Sequence, residues 1–232
     1  MLAIRKAVDR GHANYGWLDS YHTFSFGGYY DPRHMGVSNL RVINDDTVAP
    51  GGGFAEHGHN DMEIISYVIS GELTHEDSMG NRESLGRGGV QYMSAGTGIM
   101  HSEMNEGEEA VHLIQTWILP VRRGVKPKYG SRMFDKSERH NRWLHLAGPE
   151  ESGAAIHIYQ DANMYVSEID AGQRLPFELQ KGRRLYLKVM EGSGNINGTV
   201  FAPGDAAEAE GESLVVEAIT DLHLLLVEMR TE

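Results

Sequence analysis

The chain has 232 residues, 28 of them glycine and none cysteine, and a formal net charge of −12. That length allows one large domain or two small ones, and it buries a core without covalent staples. The missing cysteines exclude disulfide frameworks, thiolate metal sites and thiol catalysis, and the acidity makes nucleic acid an unfavourable partner.

Glycine at about 12%, against an ordinary 7%, signals many tight turns and so many short strands. No apolar run reaches the roughly 18 residues of a membrane span. The opening Leu2-Ala3-Ile4-Arg5-Lys6 lacks the apolar centre of a signal peptide, so a cytoplasmic protein is expected.

In chain order, residues 39–44 and 63–70 are rich in Val, Ile and Tyr and read as strands. Residues 74–82 read as a hairpin tip around Gly80-Asn81. Residues 90–93 and 111–119 are further strands, with glycines between them. The last third repeats this rhythm. Tyr67–Gly71, the turn at Gly80-Asn81 and Gly88-Gly89 match Tyr186–Gly192, the turn at Asn197-Gly198 and Pro203-Gly204-Asp205. His112 and His223 open the matching closing strands. Two related β-domains in tandem are expected, over 1–120 and 143–232. Residues 121–142, with Arg122, Arg123, Lys126 and Lys128 among their basic residues, read as a linker held by charge or as a docking patch for an anion, a nucleic acid or a partner.

Two clusters carry chemistry. His57 and His59 stand two apart after the triple glycine 51–53, so on a strand they share a face, and two neutral imidazoles there can chelate one ion. Asp61 and Glu63 continue that face if the strand stays regular. His101 and Glu103 share a face in the same way, behind a glycine-rich turn. A closed barrel would bring the two clusters together across its interior. Such an open set of nitrogen and oxygen donors suits Fe(II), Mn(II), Ni(II), Co(II) or Zn(II) rather than calcium or magnesium.

The segments Gly51-x5-His57-x-His59-x3-Glu63 and Gly98-x2-His101-x3-Asn105 resemble the paired motifs of the cupin superfamily. More specifically, the chain resembles the pirin family. The likeness runs through His22–Phe26, Leu40–Asp46, His57–Glu63, His75-x-Asp77-Ser78-x-Gly80-Asn81, Met93–Glu103 and Gln115-x-Trp117, and covers most of residues 12–120. It implies an all-β bicupin of two barrels facing each other, with one divalent ion, Fe(II) foremost, in the N-terminal barrel on His57, His59, His101 and Glu103. Glu63, the carboxylate ligand in many other cupins, becomes a candidate for supporting that site or a buried acid. The C-terminal copy has no such set; His157 and His223 stand alone there.

The nearest part of the family, the bacterial pirin-like quercetin 2,3-dioxygenases, implies an enzyme that opens flavonols with O2 and releases carbon monoxide; a monomer is expected, since in a bicupin each barrel already covers a face of the other. Glu103 would then be the candidate general base, and Phe24, Phe26 and Trp117 would line the substrate pocket. Two other classes fit the resemblance: a metal-dependent, redox-sensing protein-binding cofactor, as described for eukaryotic pirins, and a different small-molecule cupin activity.

Overall fold

Short strands carry more than half of residues 2–231, which the computed structural model describes. They are β1 (Ala3–Arg5), β2 (Gly11–Asn14), β3 (Leu18–His22), β4 (Leu40–Val48), β5 (Gly53–His59), β6 (Glu63–Ser70), β7 (Leu73–Asp77), β8 (Arg82–Leu85), β9 (Gly89–Ser94), β10 (Ile99–Met104), β11 (Val111–Ile118) and β12 (Lys128–Met133). A short helix α1 (Lys136–Arg139) follows. Then come β13 (Leu144–Gly148), β14 (Ile156–His157), β15 (Ala162–Ile169), β16 (Arg174–Phe177), β17 (Arg183–Glu191), β18 (Gly194–Ile196), β19 (Thr199–Phe201), β20 (Ala206–Glu210), β21 (Leu214–Ala218) and β22 (Leu222–Arg230).

One compact unit spans 11–134. Its seven-stranded sheet runs β12-β9-β6-β11-β4-β3-β2, and its four-stranded sheet runs β5-β10-β7-β8. Leu18, Val48, Val68, Val111 and Leu113 of the large sheet pack with Leu73 and Leu85 of the small one. Full burial stabilises each by about 1.5–3 kcal/mol, so Leu73→Ala would cost several kcal/mol once its cavity is counted.

The other unit repeats this plan except at one edge, where β14 pairs parallel with β13 while β2 pairs antiparallel with β3. Its sheets run β1-β20-β17-β22-β15-β13-β14 and β16-β21-β18-β19. β17, β20 and β22 stand where β6, β9 and β11 stand in the first, so the internal repeat read from the sequence is structural. Its interior is filled by apolar side chains, among them Phe177, Leu187, Ile196, Phe201, Val216 and Leu224.

The unit boundaries differ from the expected 1–120, 121–142 and 143–232. Residues through Arg10 belong with the C-terminal unit, because β1 pairs with β20 along Ala3–Arg5. The presumed linker is largely structure: β12 pairs with β9, its equivalent edge in the first unit, from Lys128 to Met133. An edge strand left unpaired exposes a row of backbone donors and acceptors, and each unit recruits a distant segment to cover it. Arg139 is buried and donates to Glu168 at 2.9 Å. Arg139 is thus the one buried basic residue of the segment, while Arg122, Arg123, Lys126, Lys128, Arg132, Lys136 and Arg142 are exposed.

Candidate metal centre

The small sheet of the first unit assembles the histidines. β5 and β10 are antiparallel neighbours, and His101 lies directly opposite His57. Opposite residues on adjacent strands share a face, and so do residues two apart, so His57, His59 and His101 converge. Their ring centroids are 4.7, 4.5 and 5.0 Å apart, and their candidate donor atoms all fall within 4.8 Å of one another. Among the described residues this is the one such group of histidines and acids. The two motifs meet as neighbours in one sheet, not across the barrel interior.

The free nitrogens fit a divalent ion. His57 Nδ1 lies 2.8 Å from the Ala55 carbonyl, to which it donates, and this leaves Nε2 bare. His101 Nε2 is buried with no hydrogen-bond partner, the state of a ligand nitrogen awaiting an ion. Burial first, then the neighbouring imidazoles, pushes His59 down to about 4 and His101 down to about 3. Both are thus neutral at pH 7, as ligation requires.

Glu103 comes next to this group but is not part of it. A bulge after His101 shifts the register, and Glu103 then faces Phe54 on one side and His75 on the other. Its carboxylate is buried and held by three donors from the large sheet. Ser66 Oγ donates to Oε1 at 2.9 Å, Gln91 donates to the same oxygen, and Gln115 Nε2 donates to Oε2 at 2.7 Å. Those donors belong to one polar row that crosses five strands in register: Gln91, Ser66, Gln115, Asn44 and His22.

Glu63 is elsewhere. The left-handed φ of 46° at Asp61 turns the chain, so β5 ends at His59 and Glu63 begins a strand of the other sheet. It does not continue the histidine face. Tyr92 Oη and Ser94 Oγ donate to its buried carboxylate at 2.5 and 2.8 Å, which makes it the buried acid of the two readings. The glycine-rich turn before His101 also has a different reason from crowding at the site. Gly96 has φ 47°, and a Cβ there would meet the Val125 carbonyl oxygen at 2.0 Å.

A cavity of about 610 Å³ opens over the centre, within the ordinary range for small-molecule sites. His57, His59, Glu103 and Gln115 line one end. Trp17, Phe26, Phe54 and Trp117 supply aromatic walls. Trp117 is locked from both sides: it donates to Gln115 Oε1 at 2.9 Å and stands edge-on to His59 at 4.9 Å and to Phe26 at 5.2 Å. Phe24 is not in the wall. β3 ends at His22, the alternation lapses, and the Phe24 ring is buried in the core.

The sequence reading missed a second polar wall formed by Ser20, His22, Asn44 and Asp46. His22 Nδ1 is 3.0 Å from Asn44 Oδ1, and Ser20 Oγ donates to Asp46. Burial pushes Asp46 up to about 7, against the pull of the Ser20 hydrogen bond. The signal was present as polar residues at alternate positions of apolar strands, Ser20/His22 and Asn44/Asp46. In the second unit His157 is exposed, whereas His223 is buried on Glu191 at 2.9 Å and does not stand alone.

Residues 4–118 match the family profile described as Pirin, and residues 145–229 match the quercetinase C-terminal cupin domain. A Caulobacter vibrioides pirin-like protein is 40% identical over 97% of this chain and 98% of its own. This chain belongs to the pirin family. Within the family, the quercetin 2,3-dioxygenase of Escherichia coli K12 is 42% identical over 99% of both chains. A bacterial pirin from E. coli, solved in complex with nickel(II), superposes with a TM-score of 0.93 at 40% identity and covers the whole of both chains. No helix among the described residues is long and apolar enough to cross a membrane.

Proposed function

We propose that this pirin opens the heterocycle of flavonols such as quercetin with O2, releasing carbon monoxide, around one divalent ion held by His57, His59, His101 and Glu103. The observation that carries the proposal is the coincidence of the histidine triad, the fixed Glu103 carboxylate and an aromatic-walled cavity of about 610 Å³. The E. coli relatives support it, one by the name quercetin 2,3-dioxygenase and one by its nickel complex. Fe(II), expected from the family, and Ni(II), found with the relative, both suit three imidazoles and a carboxylate.

The ion's part is Lewis-acid polarisation of the substrate's 3-oxygen. The chain's own residues do the rest. Glu103, fixed by Ser66, Gln91 and Gln115, is the acceptor for the 3-hydroxyl proton. Phe26 and Trp117 hold the flat ring system and keep water from the reacting carbons. Ser20, His22, Asn44 and Asp46 meet the outlying hydroxyls of a polyphenol, which an apolar wall would leave unpaired.

A protein-binding role would use the basic segment around Arg122–Lys128, whose Arg122, Arg123, Lys126 and Lys128 are exposed, but no observation favours it over the cavity beside the histidines. Oxygen consumption on adding quercetin to nickel- or iron-loaded protein tests the proposal; no consumption with either ion rejects it.

A further inference from the structure

The hairpin that ends β7 holds the motif His75-x-Asp77-Ser78-x-Gly80-Asn81. β7 is the other neighbour of β10: Asp77 lies opposite His101, and His75 lies opposite Glu103. His75 and Asp77 therefore reach the site from the side away from β5. Both are buried.

We propose that Asp77 and His75 act in series as positioning residues, fixing the ring of His101 in the tautomer whose Nε2 lone pair faces the ion. This rests on the reading of His57, His59 and His101 as ligands.

Asp77 is clamped. Asn81 Nδ2 donates to Oδ1 at 3.1 Å and to Oδ2 at 2.9 Å, and the Met79 N–H donates to Oδ1 at 2.8 Å. Burial alone would push this carboxyl up, but the bonds from Asn81, His75 and the turn backbone hold it below its ordinary value, so it is an acceptor. His75 Nε2 lies 3.1 Å from Asp77 Oδ2 and must donate to it. The His75 Nδ1 is 3.5 Å from His101 Nδ1, the outer limit of a hydrogen bond, so the His101 ring has a partner on Nδ1 and none on its buried Nε2, and its N–H belongs on the partnered side. His101 is thereby the Nδ1–H form and its Nε2 is bare, the same atom that is buried without a partner.

The His75 ring is kept in plane by Tyr129, stacked at 4.1 Å and 9°. His57 secures the same tautomer with a backbone carbonyl, whereas His101 relies on a side chain two bonds removed. Carboxylate–histidine–metal series of this kind orient the ligand and raise its basicity, and their loss commonly weakens metal binding by about 10–100-fold.

The test has two arms. In ion-free, 15N-labelled wild-type protein, long-range proton–nitrogen correlation should show His101 as Nδ1–H and His75 as Nε2–H. In His75→Phe, which keeps a ring against Tyr129, and in Asp77→Asn, His101 should lose that preference. Nickel affinity, measured by chelator competition, should fall about 10–100-fold in both. His101 found as Nε2–H in the wild type, or nickel affinity within twofold of wild type in a folded variant, overturns the proposal. If neither variant folds, the wild-type tautomer decides. His57→Ala separates the two readings. If it binds nickel as tightly as wild type, the ligand assignment fails; if it does not and His75→Phe does, only the positioning role fails.

Discussion

Gln115 and Glu103 stand on different sheets of the same unit, and the Gln115 amide donates to the Glu103 carboxylate across the gap at 2.7 Å. The small sheet thus supplies the acid and the large sheet supplies its orientation. A carboxylate with three fixed donors cannot swing, so its free lone pairs point in set directions.

Removing one of those donors should be costly in a specific way. Gln115→Leu leaves a buried charge short of a partner and frees the Trp117 indole N–H that Gln115 also accepts. We expect about 1.5–3 kcal/mol of lost stability by urea unfolding. We also expect both kcat and KM to worsen, because the proposed proton acceptor loses a fixed donor and the Trp117 wall loses its hydrogen bond to Gln115.

Glu103→Gln and Glu63→Gln separate the two buried acids. The first should lower both metal retention and turnover, since it removes the carboxylate proposed as the fourth ligand. The second should keep the metal and lose stability, because its partners are the Tyr92 and Ser94 hydroxyls outside the cavity. Metal analysis after dialysis, alongside a melting curve, checks the pair. Metal loss in Glu63→Gln but not in Glu103→Gln would reverse the roles.

Asp46 gives a pH signature. Its carboxyl is raised to about 7 in the fold from an ordinary 3.8. Between those values the folded state keeps a proton that the unfolded chain has released, so stability from this group is full below pH 4 and is lost as pH rises through 7. Asn at this position does not titrate. Asp46→Asn should therefore gain on wild type between pH 5 and pH 8, by up to about 4 kcal/mol in denaturant unfolding. Parallel stability curves for the two proteins would contradict the assignment.

The parts legible in the sequence were those set by local period. β6 occupies Glu63–Ser70, the bounds its apolar run gave, and His57, His59 and His101 share a face because two-residue spacing on a strand requires it. What was not legible depends on register between distant strands. The row from Gln91 to His22 exists only because five strands align, and no single strand displays it. The recruitment of β1 by β20 spans nearly the whole chain. Phe24 and Glu63 were misplaced for one reason: each lies just past a point where the extended backbone breaks, at His22 and at Asp61, and alternation carries no information across a break.

Metal content follows from the unequal interiors of the two units. One ion per chain is expected, lost in His57→Ala and His101→Ala and kept in His223→Ala. The last should instead lower the unfolding midpoint, because His223 is buried on the Glu191 carboxylate. Elemental analysis of the three variants reads this out, and a second tightly held ion in wild type would contradict it.

The most direct test of the central claim is gas stoichiometry during turnover. Metal-loaded wild-type protein with quercetin in closed vessels should consume one O2 for each carbon monoxide released, and His57→Ala, treated alike, should do neither above buffer. Carbon monoxide absent from wild type with every first-row divalent ion tried, or released equally by His57→Ala, would contradict the account.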